Sequence, residues 1–596
     1  MKKNILGVAV ILALSQSIIS SESNAAGFKP APPAGQLGAI LVNPYGNSPL
    51  TAILELSSKK PTNVTVTVHG KGNNGVDISY PVGQRTMNTH DGIPLFGLYA
   101  DHNNQVTVKY TLDGKNLTEK YNVLTGAISN KYVDNRSTTV MQEVKVKTVA
   151  KGFENRLYMV NSHTYNQQGS DIHWSGQKGK DAGIFESTPS MGSLTFDNAP
   201  MTYVVDTKGE IRWWLEQDAV YDGSDVDLNK RGYFMGLHDN GKGGITFVQG
   251  QRYGHFDLLG NVESRRLPRG YIDASHEHNL MPNGHSLIRA AKSNYENDRG
   301  DVVHTVRDHI LEIDQQGNLV DVWNLATILD PYRDALLNAL DMGAVCLNVD
   351  MDNIGKTAEV KIDAPYGDIP GVVAGRNWAH INSVEYDPKD DSIILSFRHQ
   401  GVAKVTRDKK VKWILAPSEG WNKELSTKLL TPVDSKGKKI SCTSKGVCDG
   451  DFDFTYTQHT AWLNNKTGTL TVLDNGDGRG YEQPALPTMK YSRFVEYKIN
   501  EENMTVEQIW EYGKERGYEW YSPITSNVEY MEDKDTMFGF GGSVDLYNPG
   551  KPTIGRINEI GYDDKKVKVE IDVLSDKPNS PHYRAIILNP SSQFGN

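Results

Sequence analysis

The sequence predicts an all-β protein: a six-bladed β-propeller preceded by a small N-terminal β-sandwich-like domain. Two patterns predict it. After residue 145 an apolar strand, a short polar turn and a second strand with apolar or Trp positions recur six times, with turns beginning at Asp206, Asp257, Asp314, Thr406, Asn500 and Asp563. Before it, short runs alternate with period two, as in Val64-Thr-Val-Thr-Val68, the mark of half-buried strands. Composition agrees with a folded body of more than one domain: 596 residues, 38% hydrophobic, 23% charged. The net charge of -10, with no basic stripe, excludes a nucleic-acid or anionic-membrane binder. A disordered or collagen-like chain is excluded as well.

Residues 1–25 read as a cleaved signal peptide. Lys2 and Lys3 form a charged start, Ile5 to Leu14 an apolar stretch, and Ser23-Asn24-Ala25 a small-residue cut site. The stretch is shorter than the ~20 residues that span a bilayer, so export without membrane insertion is expected. Residues 26–145 form the N-terminal β-domain, in which Val106 to Tyr110 pairs with the next strand across Asp113-Gly114. Residues 146–596 form the propeller: the six turns are spaced by 51, 57, 92, 94 and 63 residues, a unit of roughly 50 residues with two insertions. One insertion carries a helical pattern at Pro331 to Leu340, with Ala335, Leu336, Leu337 and Leu340 on one face. Cys442 and Cys448, separated by Thr-Ser-Lys-Gly-Val, are expected to form a disulfide in an oxidising compartment. Cys346 reads as a small buried apolar residue, and no zinc spacing, Walker loop or dinucleotide motif appears, so no metal or cofactor is expected.

Upstream of each outer hairpin lies an inner one whose first strand can be aligned across blades. His276 precedes Leu287 by 11 residues, His380 precedes Ile393 by 13, His459 precedes Leu470 by 11 and Thr525 precedes Met537 by 12. Innermost strands line the axial channel of a propeller, so these four side chains should converge. Asn382, two residues after His380, is expected on the same face. Arg398 ends the second inner strand, where the matching positions are Lys292 and Asn475. With no carboxylate evident nearby, its planar fork suits an anion. A lone His on an inner strand is more often structural; three in register with an Arg mark a site. His238, His278, His285 and His399 read as loop or surface residues.

A neutral imidazole can attack an electrophilic centre, and its N-linked adduct can pass the group onward. A second imidazole can move the proton of the departing and incoming oxygen. Arg398, Asn382 and Thr525 can hold charged oxygens in flight. This equipment moves a sulfuryl or phosphoryl group. The rivals are a metal centre on the three His, a ligand-binding propeller mouth and simple hydrolysis of aryl sulfates.

Three segments resemble the bacterial periplasmic arylsulfate sulfotransferases: Asp451-Phe-Asp-Phe-Thr-Tyr-Thr-Gln-His-Thr-Ala-Trp462, Gly375-Arg-Asn-Trp-Ala-His-Ile-Asn-Ser383 and Ser396-Phe-Arg-His-Gln-Gly401. The likeness runs from the start of the mature chain to its C-terminal region. It implies a six-bladed propeller with an N-terminal β-domain, assembled as a homodimer in the periplasm. It also implies transfer of sulfate from an aryl sulfate donor to a phenolic acceptor. By the same resemblance His459 is the nucleophile that becomes a transient sulfohistidine. His276, His380, Asn382, Arg398 and Thr525 match the other active-site positions, and Cys442–Cys448 the disulfide.

Overall fold

The computed structural model describes residues 37–128, 130–133, 136–138, 141–165, 198–221, 234–241, 243–341, 353–357, 377–464, 466–482, 490–576 and 578–596. Residues 1–25 and Cys346 lie outside them. Among the described residues no helix is long and apolar enough to cross a membrane.

Two sheets form the N-terminal domain. One joins Ile40–Val42, Thr51–Glu55 and Gly92–Phe96; the other joins Ile78–Val82, Thr62–Val68, His102–Leu112 and Lys115–Thr125. Val64, Val66 and Val68 point inward, as the alternation predicts. Leu112 stands opposite Lys115, so Asp113 and Gly114 alone make the turn, at φ of 51° and 74°. Positive φ at both positions matches the right-handed strand twist, which is why Asp-Gly sits there.

Six sheets form the propeller. Arg584–Ile587 is the innermost strand of blade one, beside Leu157–Tyr165, Asn198–Asp206 and Ile211–Leu215. Blade two holds Ile245–Gln249, Arg252–Phe256 and Val262–Arg266, with Met235 bridged to Val248 on its inner side. The innermost strands of blades three to six are His278–Leu280, Ile381–Asp387, His459–Asn464 and Asn527–Met531. The ring closes twice: the C-terminal strand completes blade one, and Val144–Val149 pairs with Val567–Leu574 at the outer edge of blade six.

All six outer turns fall between paired strands where the repeat predicts them. Chemistry explains the first residue of three of them. Oδ1 of Asp206 accepts from the backbone N–H of Lys208 and Glu210, and Asp257 and Asp314 repeat the pattern. The outer-strand Trp residues reach the next blade's turn: Nε1 of Trp213 donates to Leu258 O, Trp323 to Thr406 O, Trp413 to Glu501 and Trp510 to Tyr562 O.

The segment Pro331–Leu340 departs from expectation. It holds only the 3-10 turn Leu337–Ala339, while Leu336, Leu337 and Leu340 pack against Ile394, Val402 and Trp413. Arg333 pins it by donating to Gln400 Oε1, Tyr481 Oη and Glu419 O, so contacts to the propeller replace helical hydrogen bonds. Cys442 and Cys448 are joined, with Cα atoms 4.0 Å apart.

Candidate active site

The inner strands bring the predicted residues to one place. The His276 ring lies 5.3 Å from that of His380 and 6.5 Å from that of His459, centroid to centroid. All three imidazoles are buried, as is Arg398; Thr525 is half-buried. His276, His380 and Thr525 take φ of 69°, 49° and 58°, a left-handed conformation that costs a non-glycine residue energy. In blades four and five a register shift follows, between Ile381 and Ser383 and between His459 and Ala461. Such a bulge re-aims side chains at the mouth of a strand.

Asn382 lies in the blade four bulge: its Nδ2 donates to Gln458 O at 2.6 Å and its Oδ1 accepts from Thr460 N at 3.3 Å. These groups flank His459, so Asn382 fastens the blade four strand to the backbone that carries that imidazole.

Hydrogen-bond partners fix the protons of two imidazoles. Nδ2 of Asn475 donates to Ser522 O (2.6 Å) and Thr525 O (3.1 Å), which turns its Oδ1 toward Nδ1 of His459 at 2.8 Å. A carboxamide oxygen only accepts, so Nδ1 carries the proton and Nε2 keeps its lone pair. At His276, the Ser275 hydroxyl (2.7 Å) and Nη2 of Arg289 (3.4 Å) face Nδ1. A guanidinium only donates, so the proton of His276 sits on Nε2. At His380, Nη1 of Arg307 lies 2.9 Å from Nε2, and the Asn377 side-chain amide 2.6 Å from Nδ1.

Burial holds all three imidazoles well below the usual histidine range. Nearby guanidiniums add to it: Arg307 and Arg289 at His276, Arg307 at His380 and Arg398 at His459. All are therefore neutral near pH 7. Two imidazoles that face guanidinium donors, in cationic surroundings, are prepared for an anion rather than a metal ion.

Arg398 donates from Nη1 to Thr457 O at 2.8 Å, and its backbone N–H to His380 O at 3.0 Å. Contrary to the sequence reading, a carboxyl lies in its field, that of Asp477. The Asp477 backbone N–H donates to the Thr457 hydroxyl at 3.0 Å, and burial pushes its side chain up to about 7. A half-neutral Asp477 only partly offsets the guanidinium. Beneath the imidazoles, Arg584 grips Glu277 at 3.1 and 3.3 Å and lies 4.9 Å over the Trp462 ring.

Sequence reasoning missed Arg307, Tyr583 and Met235. Tyr583 precedes the blade one inner strand; its ring is 5.8 Å from that of His276, and its hydroxyl donates to His276 O. Met235 Sδ accepts from His276 N at 3.1 Å. Of the residues read as loop or surface, two are buried: His278, on an inner strand, bonds Phe247 O and Ser286 Oγ, and His399, on the turn after Ser392–Phe397 and close to the cavity as expected, bonds Asn377 O and lies edge-on to His380. Both fill the interior beside the inner strands, where an imidazole can satisfy buried backbone carbonyls. His238 and His285 are partly buried and pair with Glu277 and Glu312.

A family model described as arylsulfotransferase matches residues 142–584, and one described as an arylsulfotransferase Ig-like domain matches residues 39–126. The chain is 60% identical over 589 residues to the arylsulfate sulfotransferase AssT of Escherichia coli O6:H1, covering 98% of each. It is 58% identical over 595 residues to the arylsulfate sulfotransferase AssT of Lelliottia amnigena, covering 100% of this chain and 99% of the other. A solved quinonprotein alcohol dehydrogenase-like protein of Bacteroides thetaiotaomicron is similar over 93% of this chain and 95% of its own, at 9% identity and a TM-score of 0.29.

Proposed function

This chain belongs to the arylsulfotransferase family, and from that membership we propose a ping-pong reaction that moves a sulfuryl group from an aryl sulfate to a phenol through a sulfohistidine on His459. The observation that carries this reading is the meeting of three neutral imidazoles and buried guanidiniums at the propeller centre, with His459 protonated on Nδ1 and its Nε2 lone pair unprotonated.

Nε2 attacks sulfur in line with the aryl oxygen. The S–O bond breaks with its electron pair on that oxygen, which leaves as a phenoxide stabilised by the Nε2–H of His276. His380, whose Nε2 faces Arg307, is the weaker candidate for that donation. Arg398 holds the charged sulfuryl oxygens, joined by the Thr525 hydroxyl once it turns from Ile524 O, to which it donates in the free protein, while Asn382 holds the backbone on either side of the nucleophile. A second phenol, its proton lost to solvent, binds in the vacated place as phenoxide and takes the sulfuryl group from His459, while the released phenoxide takes a proton from solvent. One phenoxide is released and one consumed per cycle, so charge and protons balance. The leader in residues 1–25 supports action in the periplasm, and the family resemblance supports a homodimer.

Intact-mass analysis after incubation with an aryl sulfate alone should show one sulfuryl adduct, absent in His459→Asn. With donor and phenol together, sulfated phenol should form. Acceptor-independent sulfate release as the main product would make the enzyme a hydrolase, and transfer retained in His459→Asn would remove the intermediate.

A further inference from the structure

Resting on the sulfohistidine reading, we propose that Asn475 is a positioning residue that keeps a proton on Nδ1 of His459 through the whole cycle, making Nε2 the attacking atom and holding the sulfo adduct as a reactive imidazolium.

Asn475 follows the strand Thr469–Asp474, and its side chain has no freedom to turn over. Both Nδ2 bonds go to carbonyls, Ser522 O and Thr525 O, so reversing the amide would set an oxygen against two oxygens. The loop itself is clamped: Ser492 Oγ donates to Asn475 O at 2.7 Å and accepts from Ser522 N at 2.8 Å. Oδ1 therefore has one role, accepting from Nδ1 of His459.

The consequence is chemical. When Nε2 gives its pair to sulfur, the ring has a substituent on each nitrogen and carries a positive charge that balances the sulfonate. The sulfonate draws electrons from the ring and makes its Nδ1–H more acidic than that of a plain imidazolium, so a carboxylate in the place of that amide would draw off the proton and leave an uncharged ring on an anionic adduct; a carboxamide cannot take it. In the second half the S–N bond breaks with its pair returning to Nε2. From the imidazolium this releases neutral imidazole, whereas with the ring uncharged it would release imidazolate, a far poorer leaving group, unless the proton first returned. Hydrolytic triads place Asp behind the imidazole because that ring must hold an extra proton as a base. Here the ring is a carrier, and a neutral acceptor serves it better.

Two measurements test this. Nitrogen NMR of the full-length enzyme labelled at histidine, with His459 assigned by difference from His459→Asn, should show a protonated Nδ1 and a bare Nε2 in the resting state. The opposite tautomer overturns the proposal. In Asn475→Asp, the adduct should still form from donor alone, but its transfer to phenol should slow by at least about tenfold. In Asn475→Leu, adduct formation itself should fall at least about a hundredfold, since the ring loses its fixed tautomer. A merely structural role would slow both halves of the Asn475→Asp reaction equally, and that result also overturns the proposal. An unsubstituted enzyme that forms no adduct defeats the sulfohistidine reading. If it forms one, and the adduct of the Asn475→Asp variant has the same lifetime, only the role of Asn475 is defeated.

Discussion

His459 is useful because it is uncharged. Burial and Arg398 depress its affinity for a proton, so its lone pair is lost only when the pH falls through a value well below 6.5. The rate of adduct formation should therefore change by less than about twofold between pH 7 and pH 6, where an exposed imidazole would lose about half or more of its neutral form. Asp477 works in the same direction on binding. Its native value is about 7, so acidification removes a negative charge from the field of Arg398, and KM for the aryl sulfate should fall across that range. Single-turnover kinetics against pH would read both, and a rate that drops in step with an ordinary histidine would refute the neutral-pocket account. Arg398→Leu should lower donor turnover by about a hundredfold to a thousandfold, the range seen when a preorganised charge partner is lost; near-normal turnover would remove it from the site. His276, His380, His459 and Thr525 were legible because each stands a near-constant distance ahead of a hairpin. Tyr583 was not, because the C-terminal strand that carries it has no hairpin after it from which to count. Arg307 lies on the loop between Val302–Val303 and His309–Ile313, outside any repeat phase.

Blades are held to one another by side chains that the repeat itself supplies. The Trp of an outer strand donates to the following blade's turn, which explains why Trp213, Trp323, Trp413 and Trp510 recur at one place in the pattern. At the axis an Asn performs the same service: Asn382 spans to Gln458 and Thr460, and Asn527 exchanges two bonds with Ala585. These two classes of link separate stability from catalysis. Trp413→Ala, which empties a fully buried site, should cost about 3–5 kcal/mol in chemical denaturation while leaving activity at low denaturant intact. Asn382→Ala should cost about 1–3 kcal/mol, because it strands buried backbone groups, and should lower adduct formation, because those groups flank His459. Equal catalytic loss in both variants would contradict the division. Three of the outer turns were readable in sequence since an Asp that caps two backbone N–H groups leaves a local signature, and the spacing of the repeat pointed to the rest. The bulges were not, since a one-residue shift after Ile381 depends on packing between blades rather than on local spacing. The same holds for Pro331–Leu340, where apolar spacing suited a helix and the contacts that Arg333 and the leucines make with the blades took precedence.

A closed ring with a buried polar axis has a particular response to acid. His163, His276, His380 and His459 are held well below the ordinary histidine value, His278, His304 and His582 at about 4, and His399 at about 3, burial leading in each case. As pH falls below about 6.5 the unfolded chain takes up protons at these eight positions while the native ring refuses them, so each removes up to about 1.4 kcal/mol of stability per pH unit. Buried carboxyls oppose this. Asp477 at about 7, Asp257 at about 6, Glu385, raised well above its ordinary value, and Glu529, raised as well, hold protons that the unfolded chain would release, which favours the native state as pH falls toward about 4. The depressed imidazoles outnumber the raised carboxyls, which leaves a net loss. The ring cannot relieve it blade by blade, because the strands Arg584–Ile587 and Val144–Val149 tie the first and last blades together and make opening a collective event. The Tm should thus fall by about 5–10 °C between pH 7 and pH 5, and unfolding near pH 5.5 should take up several protons. Calorimetry in buffers of different ionisation heat measures both, and proton release on unfolding at that pH would mean that the axial imidazoles are charged in the native protein.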